Sequence, residues 1–163
     1  MIIKEAKSQE EIASISKKAI EIWNQHFVPI IGQKQVDYML DLFLSTEAIA
    51  KGIEEEHYHF FSLTEDQLIG FFSIKQDEPH SLFLSKLYVE LASRGKGYAR
   101  KALNYIEEYA KNHDCNVIWL TCNKYNDNTL AIYKKMGFEI FDEAVNDIGN
   151  GYVMDDYYLR KVL

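Results

Sequence analysis

The chain has 163 residues, of which 47% are hydrophobic and 26% are charged. This length suits one domain over residues 1–163, because a chain of about 150 residues can bury roughly 70% of the surface that it exposes when unfolded. The formal net charge is −7, whereas proteins that bind nucleic acid need lysines and arginines for phosphate contacts. We therefore expect no nucleic acid as a partner.

Secretion, membrane insertion and metal binding are also not expected. The first eleven residues already contain five charged side chains, unlike a signal peptide, and no apolar run approaches the roughly 20 residues of a membrane helix. The two cysteines, Cys115 and Cys122, cannot build a disulfide framework, which is typical of a cytoplasmic protein. His57 and His59 share one face of a predicted strand, but no third ligand for a metal is evident.

The first third of the sequence predicts one strand and three helices. Ser8 and Glu11 have the spacing of a capping box, and apolar residues then recur at helical spacing. Pro29 and Gly32 interrupt the helical pattern, and Ser45 is placed to cap a later helix. The predicted elements are a strand over 1–6 and helices over 9–24, 34–44 and 46–55.

The remaining sequence predicts strands and helices in alternation. The stretch Ile118–Leu120 is apolar throughout and predicts a strand buried on both faces. Gly137 is expected to end the last helix in a left-handed conformation. The order of elements favours a mixed α/β or α+β domain. The predicted strands are 57–64, 68–75, 81–89, 116–122, 139–145 and 151–161, and the predicted helices are 97–112 and 126–136.

The segment 84–98 carries the clearest chemical signal. A predicted strand runs into the loop Arg94–Ala99, and a helix begins at once. A helix start offers peptide N–H groups without helix partners, and Gly97 lets the backbone approach a phosphate closely. The stretch 91–106 has four basic residues and no acid. The loop lacks the GxxxxGK[ST] pattern and the third glycine of a dinucleotide-binding motif, so it predicts a pyrophosphate site of another kind.

A second motif follows the next predicted strand, and the two together resemble a known family. The first reads Arg94-x-x-Gly97-x-Ala99, and the second extends over 126–138 with Asn126, Tyr133 and Gly137-Phe138. In these motifs and in element order the whole chain resembles the GNAT N-acetyltransferase superfamily, most closely the bacterial polyamine (spermidine/spermine) acetyltransferases. The resemblance implies an α/β (α+β) fold with a central mixed, mostly antiparallel twisted sheet of about six or seven strands and about four or five flanking helices.

The resemblance also implies acetyl-CoA as co-substrate and a role for each motif. Peptide N–H groups near Leu87 and Val89 would polarise the acetyl carbonyl, and the Arg94–Ala99 amides would hold the pyrophosphate. Asn126 would contact the pantetheine arm or cap its helix, and Tyr133 would protonate the departing thiolate. The implied acetyl-CoA positions are Leu87, Tyr88, Val89, Arg94, Gly95, Lys96, Gly97, Tyr98, Ala99, Asn126 and Thr129, the last standing where relatives usually have alanine or serine.

The general base is not assigned by the resemblance. Many relatives place a glutamate on the strand that corresponds to 82–89, whereas this strand offers Ser85 and Lys86. Asp77, His80 and Glu90 are the candidates, with Glu90 expected to face solvent just past the strand end. A water relay is the alternative.

The acceptor is expected to be a small cationic amine. The stretch 91–106 contributes +4, so the rest of the chain carries −7 − 4 = −11, which favours a cation. The alternatives are a protein N-terminus or lysine as acceptor, and a module that binds acyl-CoA without turnover. Homodimers are common in the family. The residues in the region that forms an acceptor wall there are Trp23, His26, Phe27, Tyr38, Met39 and Phe43.

Overall fold

The computed structural model describes all 163 residues and contains seven strands and six α-helices. The strands are β1 (Ile2–Glu5), β2 (His59–Thr64), β3 (Leu68–Glu78), β4 (Ser81–Val89), β5 (Val117–Asn123), β6 (Glu139–Gly149) and β7 (Tyr152–Val162). The helices are α1 (Gln9–His26), α2 (Val28–Ile31), α3 (Gln33–Leu44), α4 (Thr46–Glu55), α5 (Tyr98–Asn112) and α6 (Asp127–Lys135).

The strand order is β1-β2-β3-β4-β5-β7-β6. β4 and β5 pair in parallel, whereas β1–β2, β2–β3, β5–β7 and β6–β7 are antiparallel. The predicted fold class, a mixed and mostly antiparallel sheet with flanking helices, is confirmed. None of the helices has both the length and the apolar character that crossing a membrane requires.

Local signals in the sequence placed the helix ends correctly. Ser8 Oγ accepts a hydrogen bond from the N–H of Glu11 at 3.1 Å, and Glu11 Oε1 accepts from the N–H of Ser8 at 3.0 Å, which is the predicted capping box. Ser45 Oγ accepts from the N–H of Ala48 and begins α4. Gly137 follows α6 with a φ of 95°, as expected for a left-handed cap.

The predicted interruptions around Pro29 and Gly32 are found. Helix α1 ends at His26, and Pro29 lies in the first turn of α2, where its missing N–H has no helix partner to lose. Gly32, with a φ of 86°, separates α2 from α3. One prediction about local structure was wrong. Strand β5 is not buried on both faces, because Ile118 and Leu120 are buried while Trp119 between them is half-buried and stacks on Phe83.

The chain divides into two compact units. The first comprises Met1–Lys75 and Lys86–Tyr105, and the second comprises Gln76–Ser85 and Ile106–Leu163. The assignment of residues 1–163 to one acetyltransferase domain stays a prediction.

The first unit has helices on both faces of its strands. Phe71 on β3 contacts the ring of Tyr88 on β4, which in turn contacts Trp23 of α1. The next residue, Phe72, contacts Tyr105 of α5. Because consecutive residues of a strand point to opposite faces, α1 and α5 cover opposite faces of this part of the sheet. Helices α3 and α4 pack against α1.

The second unit is built on β5 and β7. The parallel ladder of β4 with β5 covers three residues and ends at Phe83, opposite Trp119. β7 pairs with β5 along its whole length, with Leu159 opposite Leu120 in the buried layer. Helix α6 adds the buried side chain of Leu130 to this unit.

Candidate active site

The predicted site residues are divided between the two units, with residues 87–99 in the first and residues 126–133 in the second. In the first unit, the end of β4 has an unusual backbone contact. A Cβ atom added at Gly70 of β3 would lie only 2.2 Å from the carbonyl oxygen of Tyr88. Only glycine can therefore occupy this position without moving β4.

The close contact between the Tyr88 carbonyl and Gly70 shows the direction of the peptide groups at the end of β4. Because a trans peptide is planar, the N–H of Val89 points away from Gly70, opposite to the Tyr88 carbonyl. The N–H of Glu90 donates to the carbonyl of Ile69 at 2.8 Å, so the Val89 carbonyl also points away from β3. The N–H groups of alternate residues along a strand share a direction, which gives Leu87 the same orientation as Val89.

The loop after β4 leads into α5 through two glycines with positive φ. Residues Leu91–Ser93 form a 3-10 turn, and Gly95 and Gly97 have φ values of 79° and 82°. The first hydrogen bond of α5 is donated by the N–H of Lys101 to the Gly97 carbonyl. The N–H groups in the preceding turn, which includes Tyr98 and Ala99, thus have no partner within the helix. This arrangement fits an anionic group at the start of α5.

Arg94 supports the backbone rather than projecting freely from the loop. Its Nε donates to the Val89 carbonyl at 3.0 Å, and its Nη1 lies 3.2 Å from Nδ1 of His26. Among the other basic residues of the segment, Lys96 and Arg100 are exposed. Arg94 itself and Lys101 are exposed as well, so all four basic residues of the stretch contribute charge at the surface.

In the second unit, α6 carries the other predicted residues. Asn126 occupies the N-cap position, but its side chain makes no capping hydrogen bond and is 6% exposed. Of the two roles predicted for it, the capping one is not seen. Thr129 is half-buried. Tyr133 is buried, and its ring meets Phe138 edge to face, with centroids 5.5 Å apart.

Glu90 does not face solvent, contrary to expectation. It is 6% exposed, and its Oε2 lies 2.8 Å from Nζ of Lys18 on α1. Ser93 Oγ donates to its Oε1 at 2.8 Å. The Lys18 hydrogen bond lowers the pKa of Glu90, against the opposing effect of burial, and Ser93 lowers it further. A carboxylate held in its ionised form by a lysine is a weak proton acceptor, so this environment favours a structural role.

Asp77 and His80 lie at the β3–β4 turn, at the opposite end of β4 from Val89. Asp77 is exposed and accepts a hydrogen bond from Nε1 of Trp119 at 3.0 Å. His80 is exposed with a φ of 68°, and its Nδ1 lies 2.7 Å from the carbonyl oxygen of Asp114. Nothing in these contacts favours either residue as a base for chemistry at the Val89 end of the strand.

Lys86 lies on the strand where many relatives place a glutamate, and its ammonium group is close to two aromatic rings. It is half-buried with Nζ 5.6 Å from the ring centre of Tyr58 and 5.7 Å from that of Phe60. Burial lowers the pKa of Lys86 to about 8, while the charge of Glu56 opposes this. The side chain is thus held against aromatic rings of the first unit.

The predicted acceptor-wall residues divide into two groups. Trp23 and Phe27 are buried and form an aromatic cluster with Tyr88. Nε1 of Trp23 is buried without a hydrogen-bond partner. Core packing accounts for the rings, and no substrate role is assigned to them. Met39 is also buried, whereas His26, Tyr38 and Phe43 are half-buried.

The structure holds no group of three or more His, Cys, Asp or Glu side chains placed to bind a metal ion. His57 is exposed, and Nδ1 of His59 lies 2.6 Å from Oε1 of Glu5. Cys115 and Cys122 are buried free thiols.

Two informative residues were missed at the level of sequence. Gly70 lies inside an apolar strand, which is a recognised signal of close backbone approach. Asp156 is 4% exposed within β7, where two successive aspartates must point to opposite faces of the strand. The period of the strand could have identified one of them as buried.

The fold and the loop before α5 define a class of enzyme, the acetyl-CoA-dependent N-acetyltransferases. The chain belongs to the acetyltransferase (GNAT) family, whose model matches residues 17–138.

Individual relatives agree with the family. The uncharacterised N-acetyltransferase YycN of Bacillus subtilis is 26% identical over 106 residues, which are 62% of this chain and 68% of that protein. The chain spans 62% to 68% of the length of three curated relatives that it matches, all of them uncharacterised N-acetyltransferases.

Solved structures share the fold. The PaiA N-acetyltransferase of Thermoplasma acidophilum, in complex with coenzyme A, has a TM-score of 0.82 at 20% identity, and all of both chains is covered. A spermidine N-acetyltransferase SpeG chimera from Vibrio cholerae and hSSAT has a TM-score of 0.70 at 16% identity, over 99% of this chain and 94% of that chain. At these identities the likeness shows the fold alone.

Proposed function

We propose that the protein transfers the acetyl group of acetyl-CoA to a primary amine, and that the acceptor is a small cationic amine such as a polyamine. The observation that carries the proposal is the path from β4 into α5, where a basic loop with two positive-φ glycines ends in peptide N–H groups without helix partners. When bound, acetyl-CoA supplies an acetyl thioester that an amine can attack directly.

The residues of the first unit would bind and orient this donor. The pyrophosphate would lie on the N–H groups of the Arg94–Ala99 loop, which need no side-chain charge to be donors. The Val89 N–H points away from β3, and with that of Leu87 it would donate to the acetyl carbonyl as negative charge develops there. Arg94, through its bond to the Val89 carbonyl, would hold this peptide in place.

The residues of α6 would complete the chemistry. Asn126, whose side chain does not cap the helix, would contact the pantetheine arm. Tyr133 would give its phenolic proton to the departing thiolate. Support for both roles comes from the motif that they share and from the burial of both side chains.

The preference for a cationic amine rests on charge. Residues 139–156 contain six acids and no base, and a field of that sign attracts cations. The shared fold of a spermidine N-acetyltransferase is consistent with this acceptor. The two free, buried thiols support a reducing, cytoplasmic setting for the reaction. We include a homodimer in the proposal because homodimers are common in the family.

The test is a thiol-release assay with acetyl-CoA and a panel of polyamines, amino sugars, amino acids and short peptides. We expect release with spermidine or a related amine, and a kcat at least about 100-fold lower in Tyr133→Phe, since a general acid contributes at least that factor. Tyr125→Phe, at an exposed tyrosine, is the matched control. Absence of amine-dependent release across the panel would contradict the proposal, and release only with peptides would redirect it to a protein acceptor.

A second experiment addresses the donor site alone. Gly70→Ala would place a methyl group against the Tyr88 carbonyl, so β4 must shift and the Val89 N–H with it. We expect weaker binding of acetyl-CoA by calorimetry. Gly52→Ala is the matched control, because its Cβ would meet Tyr58 at an ordinary 3.5 Å. Equal affinities of the two variants would exclude the β4 peptides from the donor site.

A further inference from the structure

The side chain of Arg94 joins the loop Arg94–Ala99 to the end of helix α1. Its Nη1 lies 3.2 Å from Nδ1 of His26, which belongs to the last turn of α1. Its Nε donates to the carbonyl of Val89 at 3.0 Å. All three residues lie in the first compact unit, so one guanidinium connects the helix, the end of β4 and the start of the loop.

The peptide group between Val89 and Glu90 is held at both of its polar atoms. Its carbonyl accepts from Arg94, and its N–H, which belongs to Glu90, donates to the carbonyl of Ile69 at 2.8 Å. A planar peptide that makes both bonds is fixed in orientation. This peptide directly follows the Val89 N–H that is proposed to face the acetyl carbonyl, so loss of the Arg94 bond would loosen the acetyl-CoA site.

Aromatic contacts hold His26 close to the same peptide. The ring of Phe27, the next residue, meets His26 edge to face with centroids 4.8 Å apart, and it meets Tyr88 at 6.0 Å. Tyr88 directly precedes Val89 on β4. The end of α1 therefore packs on the end of β4 beside the Arg94 contact.

The contact between Arg94 and His26 requires a neutral imidazole. A guanidinium only donates hydrogen bonds, so Nδ1 of His26 must be the acceptor and the ring proton must lie on Nε2. A protonated ring has N–H groups at both nitrogens and offers Arg94 no acceptor. It would also place a second positive charge beside the guanidinium, where like charges repel.

The elements around the end of α1 bring no carboxylate of their own at this point. Helix α2 (Val28–Ile31) contains no titratable side chain, and neither does the 3-10 turn Leu91–Ser93. Tyr88 of β4 and Tyr38 of α3 bring phenol groups. The loop adds a further cation, the exposed Lys96.

The carboxylates of the neighbouring segments already have partners. Glu90 is bonded to Lys18 and Ser93. On α3, Asp37 accepts a hydrogen bond from Nε2 of Gln33 at 2.8 Å. Both carboxylates are thus engaged, and a positive charge on the imidazole would meet the guanidinium without an anion to offset it.

We propose that His26 is a positioning residue for acetyl-CoA, whose neutral imidazole accepts from Arg94 and so keeps the loop and the Val89 peptide in the binding arrangement. This rests on the acetyl-CoA site of the proposed function. Protonation of His26 breaks the contact and weakens the binding of acetyl-CoA. The role lies on the acetyl-CoA side of the reaction, whereas the sequence placed His26 in the region of the acceptor wall.

Simple electrostatics predicts the opposite effect of pH. A proton on His26 adds positive charge near the loop that would bind the phosphates of acetyl-CoA, and charge alone would strengthen binding. Loss of the contact with Arg94 weakens binding instead. The sign of the change therefore separates the positioning role from a general attraction.

The test is the dissociation constant of acetyl-CoA, measured by calorimetry at about pH 7.5 and about pH 5.5, on either side of the value near 6.5 at which an ordinary histidine titrates. The phosphate monoester of acetyl-CoA also gains a proton in this range, so the ratio of the two constants is compared between variants. His26→Gln removes the titration but keeps a carbonyl that accepts from Arg94 at both pH values. We expect the constant to rise on acidification by a factor about fivefold larger in wild type than in His26→Gln, because two unit charges in contact at a wet surface repel by that order.

Two further variants complete the comparison. His26→Phe cannot accept the bond, and we expect weaker binding at both pH values with a smaller rise on acidification than in wild type. In the rate assay at about pH 7.5 it should raise the KM for acetyl-CoA and leave the KM for the amine unchanged. His113→Gln is the matched control, because it removes an exposed histidine whose Nδ1 lies 2.8 Å from the Tyr109 carbonyl of the second unit. It should keep the ratio of wild type.

A second readout follows the histidine itself. Binding and protonation are linked, so a proton that weakens the binding of acetyl-CoA must itself be bound more weakly when acetyl-CoA is present. The ring proton resonance of His26, assigned by its loss in His26→Gln, should therefore titrate at lower pH in the complex than in the free protein. General attraction predicts a shift to higher pH.

The outcomes separate the two proposals. A rise on acidification that is equal or smaller in wild type than in His26→Gln would overturn the role of His26 and leave the acetyl-CoA site standing. A resonance that titrates at the same or at higher pH in the complex would also overturn it. Wild type that binds no acetyl-CoA at either pH would overturn both.

Discussion

Two buried carboxyl groups, Glu90 after β4 and Asp156 on β7, have opposite electrostatic environments. Glu90 is bonded to Lys18 and Ser93, and its pKa is lowered. Burial and the charge of Asp155 raise the pKa of Asp156 to about 6. Burial is the main cause of the raised pKa at Asp156, whereas at Glu90 the hydrogen bond from Lys18 outweighs burial and lowers the pKa. The comparison assigns a structural role to the first group and leaves the second as a buried charge that destabilises the fold near neutral pH.

The largest effect is expected when Glu90 loses its lysine. Lys18→Met leaves a buried carboxylate without a cation, and removal of one partner of such a pair costs about 3–5 kcal/mol. The free energy of unfolding, measured in urea at pH 7, should fall by about that amount. Lys17→Met, which changes an exposed neighbour, should cost less than about 0.5 kcal/mol.

The double variant Lys18→Met/Glu90→Met checks the cause of that loss. It removes both charges and should recover most of the stability, since a buried ion pair often contributes little over apolar side chains. A loss below about 1 kcal/mol in Lys18→Met would contradict the view of Glu90 as a structural group.

Asp156 should show the reverse behaviour. A group whose folded pKa is raised contributes stability below its unfolded pKa, here near 3.8, and this is lost as pH rises through about 6. Asp156→Asn should therefore be more stable than wild type at pH 7 by up to about 3 kcal/mol, with little difference at pH 4. Urea unfolding at both pH values measures this.

Glu90 sets the opposite slope at low pH. Because the pKa of Glu90 is lowered in the folded protein, its contribution to stability is present above the unfolded pKa near 4.5 and is lost as pH falls through the folded pKa.

Equal stability of wild type and Asp156→Asn at pH 7 would show that the charge of Asp156 does not destabilise the fold. A gain in stability with a loss of activity would match a residue kept for function.

The sequence was informative where the signal was local. Ser8 with Glu11, and Gly137 after the last helix, act within a few residues and were predicted correctly. The environment of Glu90 depends on Lys18, 72 residues earlier, and no spacing rule reports such a contact. The close approach at Gly70 depends likewise on a neighbouring strand.

The candidate site shows the same division. The loop Arg94–Ala99 and the helix start after it were predictable, because glycines and helix ends have direct backbone consequences. The partners of the Arg94 side chain, a carbonyl and His26, were not predictable, because the sequence does not reveal which groups face it. The role of Tyr133 stays a prediction of the motif.

The smallest effect is expected at Ser93, and it refines the comparison by separating hydrogen bonding from ion pairing. Ser93→Ala removes the hydroxyl that donates to Glu90 Oε1 but leaves Lys18 in place. The free energy of unfolding should fall by about 1–2 kcal/mol at pH 7, which is typical of a hydrogen bond to a charged group. Acid unfolding should move to higher pH because the pKa of Glu90 rises.

Ser14→Ala, which removes an exposed hydroxyl bonded within α1, is the control and should change the free energy of unfolding by less than about 0.5 kcal/mol. If Ser93→Ala matched that control, Lys18 alone would hold Glu90 in its charged form, and the contrast with Asp156 would reduce to the presence or absence of one lysine.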